Sequence, residues 1–151
     1  MDADGAAAAV VLNLATGERF DAVRGGGAWC DGEPIMPSGR VELADAIVGL
    51  SGFPGEYLGW NQYRALGAAA LDLCLVAAGR LDGYIDCSWN AHGVWDYAGA
   101  LLVCNEAGAS ILDAEGRELL VLDPDERRTP IAAATPALLE QLVSARRRVR
   151  R

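Results

Sequence analysis

The chain of 151 residues contains no lysine, one histidine and no apolar run long enough to cross a membrane. All 13 basic residues are arginines, and 21 acidic residues set the formal net charge at −8. This balance argues against broad binding to nucleic acids or to anionic membranes. No Gly-Lys-Ser/Thr sequence follows the glycine triplet Gly25-Gly26-Gly27, so the triplet predicts a bend or bulge rather than a phosphate-binding loop.

The cysteines provide no metal or redox motif. Cys30, Cys74, Cys87 and Cys104 form no Cys-x-x-Cys pair, and no histidine stands at zinc-ligand spacing. The first residues include acidic side chains and lack the basic start of a signal peptide. We therefore expect a reducing, cytoplasmic location. Hydrophobic residues make up 52% of the chain, which favours a packed core over disorder.

Hydrophobic periodicity predicts an α/β protein. A hairpin of two strands, 7–14 and 19–23, is expected, with a short strand at 28–30, and Met36-Pro37-Ser38-Gly39 marks a boundary. Helices and buried strands then alternate, which predicts a mixed or parallel sheet with helices packed on it. The predicted strands are 46–51, 80–86, 110–112 and 131–134, with a short extended piece at 119–121 and helices at 68–78, 96–107 and 136–146. A loop is predicted for residues 52–55 and those that follow them.

One of these helices carries a feature of chemical interest at its start. The pattern predicts that it begins at Asp96 and ends at Gly108. A carboxylate beside unpaired helix N–H groups can cap the helix, which is the usual role of such an aspartate. The same arrangement can hold a divalent cation that itself binds a phosphate.

The residues around Asp96 resemble a known signature. Trp95-Asp96-Tyr97-Ala98-Gly99 followed by Glu106-Ala107-Gly108 is similar to the C-terminal motif of the inositol monophosphatase family of metal-dependent phosphatases. Residues 66–84 resemble the substrate-side helix and following strand of that family, and residues 20–29 resemble its central hairpin. The resemblance implies the C-terminal part of the inositol monophosphatase-like sugar phosphatase fold: an antiparallel hairpin edge, then a mixed sheet with flanking helices.

The resemblance also implies a metal site. Asp96 corresponds to a ligand of Mg²⁺, the expected cofactor. The family's other ligands are a glutamate and an Asp-Pro-x-Asp-Gly-Thr loop, and neither is found in this chain. Asp123-Pro124-Asp125-Glu126 begins like that loop, but no Asp-Gly-Thr follows. One carboxylate is a poor magnesium site, because this ion keeps its waters unless several oxygens converge.

The implied substrate side is better represented. It comprises Gly67, Ala68, Ala69 and Asp86, with His92 as a further candidate. Taken without the family, Gly67 is equally consistent with a simple strand-to-helix turn, and Asp86 is more typical of a solvated loop acid. His92 could contact a phosphate or act as an acid, but it is more typical of a residue that caps or orients its loop.

The resemblance predicts three segments. Residues 1–36 would be a remnant of an N-terminal antiparallel-sheet domain, 37–145 the C-terminal α/β domain, and 146–151 a solvated basic tail. Relatives carry a long N-terminal half before the hairpin, so the chain is expected to be a truncated frame or a partial chain. An uncovered apolar sheet surface should then favour self-association.

The expected function is that of a Mg²⁺-dependent phosphomonoesterase acting on a small polyol or sugar phosphate through metal-activated water. The expected partners are a small phosphorylated substrate and a second copy of the chain, as a dimer or through the exposed sheet. Nucleic acid and membrane are not expected partners. One alternative is a non-catalytic remnant that serves as a binding or oligomerisation module. Another is a small-ligand domain unrelated to phosphate.

Overall fold

The computed structural model describes residues 5–149 as two β-sheets with helices between and beside them. Four residues of the predicted 1–36 segment and two of the predicted tail lie outside this range. The elements in chain order are β1 (Ala8–Leu12), β2 (Arg19–Val23), β3 (Gly27–Cys30), β4 (Glu33–Pro34), β5 (Ile47–Ser51), β6 (Gln62–Arg64), α1 (Ala69–Ala77), β7 (Gly83–Asp86), α2 (Ala98–Ala107), β8 (Ser110–Asp113), β9 (Pro130–Ala133) and α3 (Pro136–Arg146).

The first sheet is antiparallel, in the order β1-β2-β3-β4. Its register pairs Val11 with Phe20 and Phe20 with Cys30, as the hairpin prediction requires. Side chains of a strand alternate between the two faces of a sheet. Phe20 and Ala22 are buried on the inner face, whereas their neighbours on β2 are exposed or half-buried.

The second sheet is mixed, in the order β6-β5-β7-β9-β8. Strands β5, β6 and β7 are parallel, and β9 lies antiparallel between β7 and β8. β6 forms within the segment predicted as a loop, so that prediction was wrong there. All three of its residues are exposed, and a strand this short at a sheet edge has no periodicity to detect.

Helices α1 and α2 lie between the two sheets. Their buried side chains form one core with Phe20 and Ala22 of the first sheet and with Tyr84 of the second. α3 covers the opposite face of the second sheet, where Leu138 and Leu142 form a separate core with strand residues. Every residue of β7 and β9 is buried, because this sheet is covered on both faces.

The start of α2 differs from the sequence prediction. Val94–Asp96 forms a 3₁₀ turn, and the α-helix begins only at Ala98. Tyr97 lies between the 3₁₀ turn and the α-helix and is not helical, with φ −144° and ψ −13°. Its side chain is fully buried, and its hydroxyl donates to the Leu119 carbonyl at 2.6 Å. The Leu119 carbonyl thus accepts from a side chain and not from a neighbouring strand. The extended piece predicted at 119–121 does not form a strand.

The end of the described chain is more ordered than predicted. α3 matches its predicted bounds, and its cap residue Thr135 accepts a hydrogen bond from the Leu138 N–H at 3.2 Å. Arg146 and Val149 are buried, at 4% and 5% exposure. Arg148 pairs with Glu56 at 2.7 Å. The prediction of a solvated tail is therefore wrong for Arg146 and Val149, whereas Arg147 and Arg148 are exposed. The segment boundaries stay predictions.

The outer face of the antiparallel sheet carries exposed apolar side chains. Val10 and Leu12 on β1 are 64% and 49% exposed, and Val23 on β2 is 50% exposed. The register places them on one face, and β1 is an edge strand. Within residues 5–149, no helix is both long and apolar enough to cross a membrane.

Candidate active site

The carboxyl ends of the parallel strands place the candidate residues on one edge of the second sheet. Ser51 ends β5 and Asp86 ends β7. Gly67 and Ala68 lie between the end of β6 and the start of α1. Gly67 has φ +83°, and a Cβ there would meet no atom within 4 Å, so open space adjoins this backbone. In open α/β sheets, ligands bind at this edge.

Asp86 is fully buried, which excludes the alternative of a solvated loop acid. Its Oδ1 accepts hydrogen bonds from the Ser88 N–H, at 2.9 Å, and from the Ser88 hydroxyl. Its Oδ2 has no hydrogen-bond partner among the described residues. That atom lies 3.3 Å from Nε2 of His92, a close contact whose alignment is not that of a hydrogen bond. A buried acceptor left without a hydrogen bond is costly, so this oxygen calls for a partner outside the described side chains.

Asp96 lies at the end of the 3₁₀ turn that precedes α2. Its Oδ2 accepts a hydrogen bond from the Gly93 N–H at 3.0 Å, so it caps the turn. The Asp96 side chain is 38% exposed, so solvent reaches the carboxylate. The accessibility predicted for this carboxylate is observed, but Asp96 ends the 3₁₀ turn and lies two residues before the first residue of α2. Its role as a metal ligand remains a prediction.

His92 connects the two aspartates. Its Nε2 faces Asp86 Oδ2, and its Nδ1 lies 3.7 Å from Asp96 Oδ2. The backbone N–H and C=O of His92 both pair with the backbone of Arg128, which attaches the loop that carries His92 to the segment before β9. The ring of His92 therefore lies between the carboxylates of Asp86 and Asp96.

Two hydroxyl groups at this site were missed by sequence reasoning. Ser51 Oγ lies 3.4 Å and the Tyr84 hydroxyl 3.5 Å from His92 Nε2. Burial, and then the nearby charge of Asp86, raises the pKa of Tyr84, so its phenol keeps its proton. Both residues belong to buried strands, where a single hydroxyl has no distinctive spacing. The only available signal was their position at or near strand carboxyl ends.

The loop from Cys87 to Gly93 is held by contacts from distant elements. The Asn90 N–H donates to Thr129 Oγ1 at 3.3 Å, and the Arg117 guanidinium donates to Asn90 Oδ1 at 3.0 Å. The two tryptophans near the site both contact arginines. The guanidinium of Arg146 lies 4.2 Å from the Trp89 ring centre, and that of Arg127 lies 4.9 Å from the Trp95 ring centre.

The donor set does not complete a magnesium site. Mg²⁺ binds through several converging oxygens in near-octahedral geometry. Of the two aspartates at this edge, Asp96 has a half-exposed carboxylate, whereas Asp86 lies buried behind His92. Within the described chain, one group of three side chains brings its potential ligand atoms within 4.8 Å of one another: Glu18, Cys30 and Asp31. That group lies in the antiparallel sheet, and its Glu18 already pairs with Arg80.

Comparison with known proteins decides the family. A family model described as "Inositol monophosphatase family" matches residues 1–151. The chain belongs to the inositol monophosphatase family. It is 39% identical over 123 residues to an inositol-1-monophosphatase of Rhizobium meliloti, covering 72% of this chain and 45% of that protein. It is 30% identical over 150 residues to the Nus factor SuhB of Pasteurella multocida, covering 89% of this chain and 53% of that protein.

Solved structures of this family confirm the predicted fold class. The IMPase of Thermotoga maritima superposes with a TM-score of 0.81 at 25% identity, covering 96% of this chain and 57% of that one. The suppressor protein SuhB of Bartonella henselae superposes with a TM-score of 0.78 at 29% identity, covering 95% and 59%. The inositol monophosphatase family member described here thus spans about half the length of the curated relatives it matches.

Proposed function

We propose that this chain supplies the substrate side and one metal ligand of a magnesium-dependent phosphomonoesterase acting on a small polyol or sugar phosphate. The observation that carries the proposal is the joining of Asp86, His92 and Asp96 at the carboxyl edge of the parallel strands. Family membership supports the phosphatase class. Because the chain spans only part of its relatives, the activity of a complete protein is itself part of the proposal.

The residues at this edge suit the recognition of a hydroxylated anion. Asp86 Oδ2 has no hydrogen-bond partner among the described residues and accepts from a substrate hydroxyl once the His92 ring in front of it moves aside. Ser51 and Tyr84 offer hydroxyl groups beside it. Ala68 caps α1 without a side-chain hydrogen bond, which leaves backbone N–H groups of the first turn for an anionic oxygen. Gly67 to Ala69 permits close approach of the substrate.

Asp96 is the proposed magnesium ligand, and His92 holds its carboxylate in a fixed relation to Asp86. Since residues 5–149 do not complete a magnesium site, a competent centre needs further oxygen ligands from elsewhere. We therefore expect the 151-residue chain alone to show little or no turnover.

Calorimetric titration with an inositol monophosphate, with and without Mg²⁺, tests the proposal. We expect weak binding that Mg²⁺ strengthens, and we expect Asp96→Asn to remove only the magnesium-dependent part. Asp86→Asn should weaken binding under both conditions, and Asp123→Asn, an exposed acid outside the site, should behave as the wild type. Binding without any magnesium dependence, or an Asp96→Asn variant indistinguishable from the wild type, would contradict the assignment. Robust phosphate release that Asp96→Asn abolishes would show that the chain builds a complete site.

A second candidate function is that of a non-catalytic binding or oligomerisation module. The exposed apolar residues Val10, Leu12 and Val23 on an edge-containing sheet favour it. We further propose a cytoplasmic location, which is supported by four free and buried cysteines. Binding of nucleic acid is not part of the proposal, given the net charge of −8.

A further inference from the structure

Arg146, in the last turn of α3, reaches the candidate site from the opposite face of the second sheet. Its Nε donates to the Asp86 carbonyl at 2.5 Å, and a terminal nitrogen donates to the Ser88 carbonyl at 2.6 Å. The residue is 4% exposed, and its guanidinium stacks on Trp89. A buried arginine whose donors are directed at backbone carbonyls fixes the path of the chain that carries them.

These contacts lead directly to the Asp86 carboxylate. Arg146 holds the carbonyl of Ser88, and the N–H and hydroxyl of that same Ser88 bind Asp86 Oδ1. With Oδ1 so engaged, Oδ2 is the oxygen directed towards His92, and it has no hydrogen-bond partner within residues 5–149. The orientation of the carboxylate is therefore set by Ser88, and the position of Ser88 is set by Arg146.

We propose that Arg146 is a positioning residue of the candidate site: it fixes the Asp86 carboxylate with Oδ2 towards His92, so that displacement of the His92 ring leaves this oxygen to accept from a substrate hydroxyl. This inference rests on the proposed function in so far as the ligand of Asp86 is a polyol phosphate. Arg146 acts through the backbone of Asp86 and Ser88 and does not itself contact the substrate. Its planar fork contacts two carbonyls and a ring at once. A lysine ammonium is a point charge on a flexible stem and does not reproduce that geometry.

The test compares Arg146→Met and Arg146→Lys with Arg147→Met in the full chain. Arg147 is the next residue, is exposed, and loses the same charge in its variant. Hydrogen exchange of the amides of residues 87–92 is measured beside that of α1 and β2. We expect Arg146→Met to accelerate exchange of the 87–92 amides at least tenfold, and Arg146→Lys roughly threefold. In each variant α1 and β2 should stay within twofold of the wild type. We expect Arg147→Met to leave all three regions unchanged.

Binding of an inositol monophosphate provides the second measurement. If Arg146 acts through Asp86, the double variant Arg146→Met/Asp86→Asn should bind no more weakly than Asp86→Asn alone. Acceleration of exchange in α1 and β2 equal to that in 87–92, equal exchange in Arg146→Met and Arg147→Met, or losses of affinity that multiply in the double variant would each overturn the inference. If Arg146→Met does not fold, Arg146→Lys decides by the same criteria. Absence of binding by the wild type would refute the proposed function, and the exchange comparison would still decide the positioning role.

Discussion

The two sheets of this molecule differ in how much of their surface the chain covers. The mixed sheet is packed on both faces, by α1 and α2 on one side and by α3 on the other. The antiparallel sheet is packed on one face only, and its other face and its β1 edge expose Val10 and Leu12. The candidate site lies on the covered sheet. The described chain therefore covers both faces of the sheet that carries the candidate site and leaves one face of the antiparallel sheet exposed.

The largest expected effect is a difference in stability between truncating a leucine that packs on the mixed sheet and one on the exposed face of the antiparallel sheet. Leu142 of α3 is fully buried, and its Cδ1 lies 2.6 Å from where a Cβ on Gly83 would be. We expect Leu142→Ala to lower the free energy of unfolding by about 2–5 kcal/mol through lost burial and a cavity. The matched truncation Leu12→Ala, on the uncovered face, should change it by less than about 0.5 kcal/mol. Urea unfolding measures both, and equal losses would show that the outer face of the antiparallel sheet is packed in solution.

A second, smaller effect tests how strongly the interface between α1 and the mixed sheet excludes water. Asp72 of α1 packs beside Gly49 of β5, and its buried Oδ1 has no hydrogen-bond partner among the described residues. Burial raises the pKa of Asp72 from 3.8 to about 6. A carboxyl whose pKa is raised on folding contributes stability that is present below the unfolded pKa. That stability is lost as the pH rises through the folded pKa, so the loss falls between pH 3.8 and about 6.

We therefore expect Asp72→Asn to be more stable than the wild type above pH 6, by roughly 1–3 kcal/mol. Near pH 4, Asp72→Asn and the wild type should have the same free energy of unfolding. Thermal unfolding across this range provides the measurement, with the exposed Asp45→Asn as the control. A constant difference between Asp72→Asn and the wild type at all pH values would show that packing, and not ionisation, is responsible.

The smallest effect on stability concerns the uncovered sheet itself. Val10→Lys places a charge on the edge strand, a device that blocks strand-to-strand association. We expect unfolding to change by less than about 0.5 kcal/mol, while self-association at high protein concentration falls. Sedimentation velocity measures the second quantity, and Val41→Lys, an exposed valine outside the sheet, is the matched control. If both variants associate like the wild type, the apolar face does not mediate association.

Much of the fold was predictable because its elements carry strong local signals. The bounds of β2 and α3 match their predictions, since alternation marks the first and Thr135-Pro136 marks the start of the second. The start of α2 was misplaced, because Tyr97 leaves the helical conformation to bury its ring. A tertiary contact of this kind has no trace in local spacing. The same is true of β6, whose only support is its pairing with β5.

The candidate site was predictable only in part. Asp86, His92 and Asp96 were identified by resemblance, and the structure places them together. Ser51 and Tyr84 were missed because their proximity to His92 depends on the parallel pairing of β5 and β7. Arg146 was assigned to a solvated tail, since five arginines within the last six residues suggest a basic tail. Its burial depends on carbonyl groups that lie 58 and 60 residues away in the chain.

The placement of β9 between β7 and β8 has a consequence for how the protein folds. β7 pairs with β9, which is synthesised after β8, so β8 cannot join the sheet until the later strand has been inserted. Pairings between distant segments slow folding, because the intervening chain loses entropy before the contact forms. When Asp86 emerges from the ribosome, the segments that form β9 and α3 have not yet been synthesised. Only after their synthesis can the edge that carries this aspartate reach its final geometry.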